Sequence, residues 1–297
     1  MPSLKEIKGR IGSVKSTLKI TSAMKLVSSA KLRKAQQAIG NMLPYQSALQ
    51  EMLSTLMAHR GPSAQFTGER PEIQSVAIIA FASNSSLCGG FNANAVRKVL
   101  ETVREYEAKG VRVTVFSVGR KMIESMRKIG KENPEMPSDP VALSGSPEYS
   151  GAAALASSLI QDYLEGKFDR IELIYNHFVS TGTQTVTRET WIPLKVESEV
   201  DDYPAPESES DTEVSGYIVE PSVPELIEEL LPKTMRLKIY TVLLDSQAAE
   251  HAARTVAMQT ATDNGEDLLD ELTLEYNKGR QQKITSEILD IVGGTMK

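Results

Sequence analysis

A single cysteine, Cys88, leaves no partner for an internal disulfide or a paired-thiol switch, and fits a reducing compartment. The three histidines, His59, His177 and His251, are scattered and make no metal-ligand spacing with Cys88. None of them forms a recognisable nucleophile–base pattern with it either, so the thiol reads as buried and free. No apolar run approaches the roughly 18 residues that a membrane-spanning helix needs. The N-terminus is not a signal peptide, and a helix that begins almost at Met1 leaves no room for a transit peptide. Residues 1–34 contain no aromatic side chain, and the whole chain lacks both GxGxxG and GxxxxGK[ST]. Proline is missing from Ser246 to Val292, so nothing there interrupts a helix.

What remains is a chain of 297 residues, 40% hydrophobic and 24% charged, enough for one or two domains with real cores and too apolar for a disordered chain. Its net charge of −6 is unevenly spread. Residues 1–34 carry nine Lys or Arg against Glu6 alone, while residues 196–213 carry eight acids and no base. A basic helix of this kind is a solvated face or a surface for an acidic partner.

The two ends of the chain are helical by pattern. Leu4, Ile7, Ile11, Val14, Leu18, Thr21, Lys25, Ser28, Leu32, Ala35, Ile39 and Met42 repeat at 3-4 spacing without a slip, a coiled-coil seam with a polar centre. Lys25 in that seam is either a register device or a contact for a partner. Near the other end, Ala261, Gly265, Leu268, Leu272, Tyr276 and Gly279 define one helical face. From Pro224 onward the chain has helix for about 110 Å, allowing a break near Pro232. A helix so long needs a partner along its length, and the first helix supplies one as the other half of an antiparallel pair. Small residues in both (Ser22, Ala23, Ser28, Ser29 and Ala30; Ala248, Ala249, Ala252, Ala253 and Ala257) suit a close approach.

Between the helices lies a globular stretch. The first helix bends or restarts at Pro44, runs to about His59 and stops at Gly61-Pro62. Ser75–Ala82 is a buried strand, the loop Ser83–Gly90 feeds a helix over Ala93–Ala108, and a second buried strand runs Val111–Val118. Strand, helix, strand at this spacing is a right-handed βαβ unit with parallel strands. A short helix follows at Arg120–Ile129, then a Pro-rich loop from Asn133 to Pro147 and a helix at Ala152–Leu164. Arg170–Val179 and Thr185–Leu194 form an antiparallel hairpin. Residues 196–214 are too charged and proline-rich to pack and read as a mobile loop. Tyr217–Val219 reads as an edge strand. Gly89-Gly90 sits where a phosphate would bind, but without either fingerprint it reads as a tight turn.

The residues also carry a resemblance. Ile11-Gly12-Ser13-Val14-Lys15, Lys19-Ile20-Thr21-Ser22-Ala23-Met24-Lys25-Leu26-Val27 and Lys31-Leu32-Arg33-Lys34 resemble the first helix of the gamma subunit of F-type ATP synthases. So do Glu250-His251-Ala252-Ala253-Arg254, Ala261-Thr262-Asp263-Asn264 and the run from Leu272 through Tyr276-Asn277-Lys278-Gly279-Arg280-Gln281 to Thr285. Cys88-Gly89-Gly90-Phe91-Asn92 is similar to a loop of the same family. The acidic stretch at 196–214 is longer than the family's usual connection, and the lone cysteine means that the redox insertion of chloroplast members is missing.

The resemblance implies a rotor shaft that is not itself catalytic and holds no cofactor or metal. Its expected partners are the alpha and beta subunits of the catalytic ring, the epsilon subunit and the c-subunit ring. It implies no nucleic acid, and membrane contact only through the c ring, at the cytoplasmic face of the bacterial inner membrane. It assigns beta-subunit contacts to Arg280 and Gln281, with Thr285 nearby, and places Met24 beside an acidic lever of the beta subunit. The alternatives are a solvated Arg280 and plain coiled-coil packing for Met24 and Thr285. Ile284 and Ile288 lie about 120° and 160° around the helix from Leu272, so with Ile291 they form a stripe facing away from the first helix. That stripe is an apolar bearing tip or a shifted seam. The expected architecture is α/β, a long antiparallel coiled coil of the terminal helices plus a Rossmann-like domain. Its expected parts are 1–59, 70–220 and 222–297. A nucleic-acid-gripping arm and a Rossmann-type enzyme are the rival classes, opposed by the acidic overall charge and the missing fingerprint.

Overall fold

The computed structural model describes residues 3–60, 66, 68, 70, 72–131, 136–194, 213–214, 217–220 and 222–294. In order these form α1 (Leu4–Arg60), β1 (Ser75–Phe81), α2 (Phe91–Ala108), β2 (Arg112–Val118), α3 (Arg120–Lys128), α4 (Pro140–Gly145), α5 (Tyr149–Leu164), β3 (Arg170–Phe178), β4 (Gln184–Ile192), β5 (Glu213–Val214), β6 (Tyr217–Ile218) and α6 (Val223–Gly294). They group into two compact units, residues 31–253 and residues 1–30 with 254–297.

The 31–253 unit is built on a four-stranded sheet of order β2-β1-β3-β4. β1 pairs in parallel with β2 and β3, and β4 closes the sheet antiparallel to β3. All seven residues of β1 are buried, because helices cover both faces of the sheet. Side chains alternate across the pleat. Val76, Ile78 and Ala80 pack with Ala95, Val99 and Val103 of α2 and Met122 and Met126 of α3. Ala77, Ile79 and Phe81 pack on the other face with Leu155, Ala156 and Leu159 of α5 and Leu231, Met235 and Ile239 of α6. This is the three-layered, doubly wound arrangement that the βαβ pattern implies.

Four details differ from the expected reading. α1 and α6 each run through their proline without interruption. Gly40 and Glu228, one turn before Pro44 and Pro232, are both exposed, so the carbonyls left without a helical donor lie on solvent-facing residues. The Pro-rich stretch holds a helix, α4, started by Asp139, whose carboxylate accepts from Val141 N at 2.9 Å and Ala142 N at 3.3 Å, with Pro140 in the first turn. β6 does not edge the main sheet but pairs with β5 in a separate two-stranded ribbon. Of the acidic stretch read as a mobile loop, residues 196–212 lie outside the described residues, and Glu213–Val214 are the strand β5. Gly61-Pro62 also lies outside them.

One buried charge sits in this core. Glu172 of β3 is 2% exposed and accepts from Tyr106 Oη at 2.5 Å, Arg188 Nε at 2.7 Å and Arg188 Nη2 at 3.1 Å. Arg188 reaches on to Glu105 at 2.6 Å and stacks over the Tyr106 ring at 5.3 Å. Lys109 and then Arg188 hold the Glu105 carboxyl down at about 2. Burial, and then the Glu172 carboxylate, push the Tyr106 hydroxyl up.

Arg188→Ala therefore leaves a buried carboxylate without its cation, and its expected cost in urea unfolding is about 3–5 kcal/mol. The Glu105 contribution is fully present above its unfolded value near 4.5 and is lost as pH falls toward about 2. With one of its two cations removed, the acid limb of the unfolding midpoint should move to higher pH. A midpoint and acid limb matching the wild type contradict this account.

Candidate functional site: a paired-helix shaft

In the unit of residues 1–30 and 254–297, the two helices pair at one constant register. Lys25 Nζ donates to Gln259 Oε1 at 2.7 Å, and Thr262 Oγ1 donates to Thr21 Oγ1 at 2.9 Å. Leu18 packs over Gly265, and Leu4 over Gly279. Each step down α1 is met by an equal step up α6, which is antiparallel pairing with no slip.

The heptad pattern explains why. Every position of the predicted α1 seam in this unit, from Leu4 to Ser28, is buried or half-buried, and nearly all its neighbours are exposed. A strict 3-4 strip on one helix needs the same strip on its partner. On α6 that strip is Met258, Thr262, Gly265, Leu269, Leu272, Tyr276 and Gly279, all buried or half-buried. The face expected from sequence erred in one place: Leu268 is 45% exposed, Leu269 takes its seam position, and Thr262 is more buried than Ala261. Of the small α1 residues expected to line the contact, Ser28 is buried and Ser22 half-buried, whereas Ala23, Ser29 and Ala30 face outward. The close approach falls at Gly265 instead, where a Cβ would stand 2.7 Å from Leu18 Cδ2.

The outer faces of the pair differ in chemistry. α1 exposes Lys5, Lys8, Arg10, Lys15 and Lys19, and α6 exposes Asp263, Glu266, Asp267, Asp270, Glu271 and Glu275. Among the described residues these charges make no ion pair with one another, so the pair is basic on one helix and acidic on the other. Ile20 and Val27, 60% and 57% exposed, add apolar points to the basic side.

The candidate contact residues fall at two levels. Met24 is half-buried, and Lys25 sits in the seam and bridges to Gln259. Arg280 and Gln281 lie 21 residues beyond Gln259, about 32 Å along α6, so the structure does not bring the two sets together. From Arg280 to Val292 every residue of α6 is exposed. The Arg280 guanidinium has no hydrogen-bond or ion-pair partner among the described residues. Thr285 Oγ1 donates to its own helix at Gln281 O, 2.9 Å away. Ile284, Ile288 and Ile291 are 47%, 55% and 68% exposed, joined by Leu289 and Val292. Arg280, Gln281, Gln282 and Lys283 precede them, so the stretch presents a polar, cationic segment and then an apolar stripe flanked by polar residues.

The 31–253 unit was also a candidate for chemistry. Gly89 has φ +56° and Leu87 φ +68°, so the loop after β1 turns tightly. Its interior is filled by Asn92, whose Oδ1 accepts from Ser83 N and Oγ at 3.0 Å each, while its Nδ2 approaches Cys88 Sγ at 3.2 Å. The loop's groups are thus engaged with one another around a buried Cys88. Among the described residues no group of three His, Cys, Asp or Glu is placed to hold a metal ion. His177 pairs with Asp245 at 2.6 Å, and no described helix is long and apolar enough to cross a membrane.

The class that these elements define is a mostly parallel α/β unit together with a unit of two antiparallel paired helices of unlike charge. Comparison with known proteins agrees. The family model described as ATP synthase matches residues 3–296. The ATP synthase gamma chain of Phocaeicola vulgatus is 51% identical over 298 residues, covering 100% of both chains, and that of Flavobacterium johnsoniae is 41% identical, covering 99% of this chain and 98% of its own. A chain of the Euglena gracilis mitochondrial ATP synthase matches in fold at TM-score 0.63 and 18% identity, over 99% of this chain and 93% of that one. A central-stalk chain from Tetrahymena thermophila matches at TM-score 0.55 and 22% identity, over 82% and 99%. The chain belongs to the ATP synthase gamma chain family, the non-catalytic central-stalk subunit of the F-type complex.

The seam gives a direct test. Gly265→Ala adds helix propensity and asks only the end of Leu18 to move, so its effect on thermal unfolding should be near neutral. Gly265→Ile overfills the contact and should cost about 1–3 kcal/mol. Leu18→Ala should recover part of that loss in a double-mutant cycle. Strict additivity of the two changes contradicts the packing described.

Proposed function

We propose that this chain is the rotor shaft of an F-type ATP synthase, turned by the ion gradient so that each beta-subunit catalytic site passes through its conformations in sequence. The observation that carries the reading is the chemical asymmetry of the paired helices, basic on α1 and acidic on α6. A symmetric rod would touch three identical subunits alike and bias none of them. An asymmetric one makes different contacts with each, and a differential contact is what shifts a conformational equilibrium. The partners on this reading are the alpha and beta subunits around the shaft, and the epsilon subunit and c-subunit ring at the α/β body. The complex sits at the cytoplasmic face of the bacterial plasma membrane, with membrane contact only through the c ring.

Arg280, Gln281 and Thr285 are proposed as beta-subunit contacts made in some rotor positions, with Met24 and Lys25 meeting the beta subunit at the lower level. A partnerless guanidinium suits such a role, because its planar fork holds a carboxylate bidentately without first giving up an internal ion pair. Ile284, Ile288 and Ile291 are proposed as an apolar tip turning within a collar of the alpha–beta ring, since a contiguous exposed apolar surface marks a partner site. A nucleic-acid arm is disfavoured by the acids of Asp263–Glu275 lying on the same shaft as the lysines.

In the assembled complex, Arg280→Ala should slow turnover with assembly largely intact. A lost charge-assisted contact is worth about 1.5–3 kcal/mol, roughly tenfold to a hundredfold if it acts wholly on the rate-limiting step. Ile288→Asp should weaken seating of the shaft more than it destabilises the isolated chain. Normal rate and coupling with Arg280→Ala, or an unfolded isolated chain but normal seating with Ile288→Asp, would overturn the respective assignment.

A further inference from the structure

In an open parallel sheet, the crevice beyond the carboxyl ends of the strands is where a ligand ordinarily binds. Here α6 itself occupies that place. Its Ala249 and Ala253 cluster with Cys88 and Phe91 of the β1–α2 connection and with Phe178 at the end of β3. Between Phe81, Ala82, Val118, Ser144 and the helix there remains a cavity of about 10 Å³, room for about one water.

Much of this contact is made by small side chains. Ala249 and Ala253 face the crevice, while Ala248 and Ala252 pack on Leu32 and Ala35 of α1, and so small a surface has no long ridges to interlock. Leu231, Met235 and Ile239 lock the earlier turns of α6 into the core, but over this small-residue stretch apolar packing is non-directional and resists twisting about the helix axis poorly. Hydrogen bonds are directional, and Asp245 and Gln247 are among the residues here that make them. Asp245 Oδ1 accepts from Phe178 N at 2.9 Å, and Asp245 Oδ2 meets His177 Nδ1 at 2.6 Å, both at the end of β3. Gln247 Nε2 donates to Gly145 O, 3.1 Å away at the end of α4. Two residues along a helix is about 200° around it, so these side chains point to opposite sides. Held from one side, a helix pivots; held from both, it cannot turn without breaking a bond.

We propose that Asp245 and Gln247 form a torsional clamp, positioning residues that make the stretch of α6 beyond its core-packed turns twist with the sheet instead of against it. The proposal rests on the rotor reading above, and it assigns to the ligand crevice of this fold the task of gripping the shaft. Torque applied to the body reaches the helix through Asp245 on the β3 side and Gln247 on the α4 side. Lys238, paired with Glu189 of β4 at 2.8 Å, adds a third hold two turns earlier.

The test uses the whole complex in ion-tight vesicles, measuring ATP hydrolysis and ion pumping per assembled complex. Asp245→Ala should hydrolyse ATP at near the wild-type rate and lose most of its pumping per ATP. Asp245→Asn, which keeps an acceptor for Phe178 N, should recover most of it, and Gln247→Ala should show a partial loss. A merely structural role lowers the yield of complex and leaves pumping per ATP unchanged, and that result overturns the clamp. Should Asp245→Ala not assemble, Gln247→Ala decides alone: a lowered ratio supports the clamp and a normal ratio refutes it. Failure of the rotor reading is distinct, since complexes depleted of this chain would then pump per ATP as well as the wild type.

Discussion

The constraint on which the shaft depends is the constant register between α1 and α6. In the terminal unit it is written in two polar contacts, Lys25 with Gln259 and Thr21 with Thr262, and in two glycines, Gly265 and Gly279, that admit leucines of the opposite helix. An apolar seam alone tolerates a slip of one heptad, because one leucine layer resembles the next. Polar residues at seam positions tolerate it less, since a slip breaks the Thr21–Thr262 and Lys25–Gln259 contacts and sets the threonine hydroxyls against apolar layers. Thr21 and Thr262 are 8% and 7% exposed, so that cost would be felt. At this register Leu4 meets Gly279, and residues 280–292 of α6 are exposed.

That uncovered end and the opposed charges of the two helices follow from the same economy of design. Most seam residues are covered by the opposite helix, so what the shaft recognises lies chiefly on its outer faces, its tip and the half-buried edge at Met24 and Lys25. The outer faces are lysine-rich on one helix and acid-rich on the other, and the tip offers Arg280, with no ion-pair partner among the described residues, and then exposed isoleucines. In the proposed rotor, such a cross-section presents a different surface to each direction around its axis. The α/β body meets the complementary need. Its crevice is closed by its own helix, and its buried carboxylate Glu172 is tied up by Arg188 and Tyr106.

Much of this was legible in the residues. The α1 seam could be counted from Leu4 to Met42 because its 3-4 repeat is unbroken, and β1, β2 and β3 stood out as apolar runs between glycine-marked turns. The exposed isoleucine stripe followed from helix angles alone. On α6 the face was misassigned at Leu268 because leucines occupy both 268 and 269, and hydrophobicity cannot choose between neighbours; strict alternation of four and three back from Tyr276 does choose Leu269 and Thr262. Helix α4 was missed because prolines outweighed the capping signal of Asp139-Pro140. The Glu172–Arg188 pair and the Asp245 contacts carried no local signature. They join residues far apart in sequence, and a lone acid in a strand or helix looks the same whether it is solvated or buried.

The central claim, that the chain turns as one shaft inside the complex, is tested most directly by single-molecule observation. With the catalytic ring fixed to a surface and a probe attached to the exposed face of α2, ATP should drive the probe in one direction through full circles with three dwells per turn. Undiminished ATP turnover beneath a stationary probe would contradict the account.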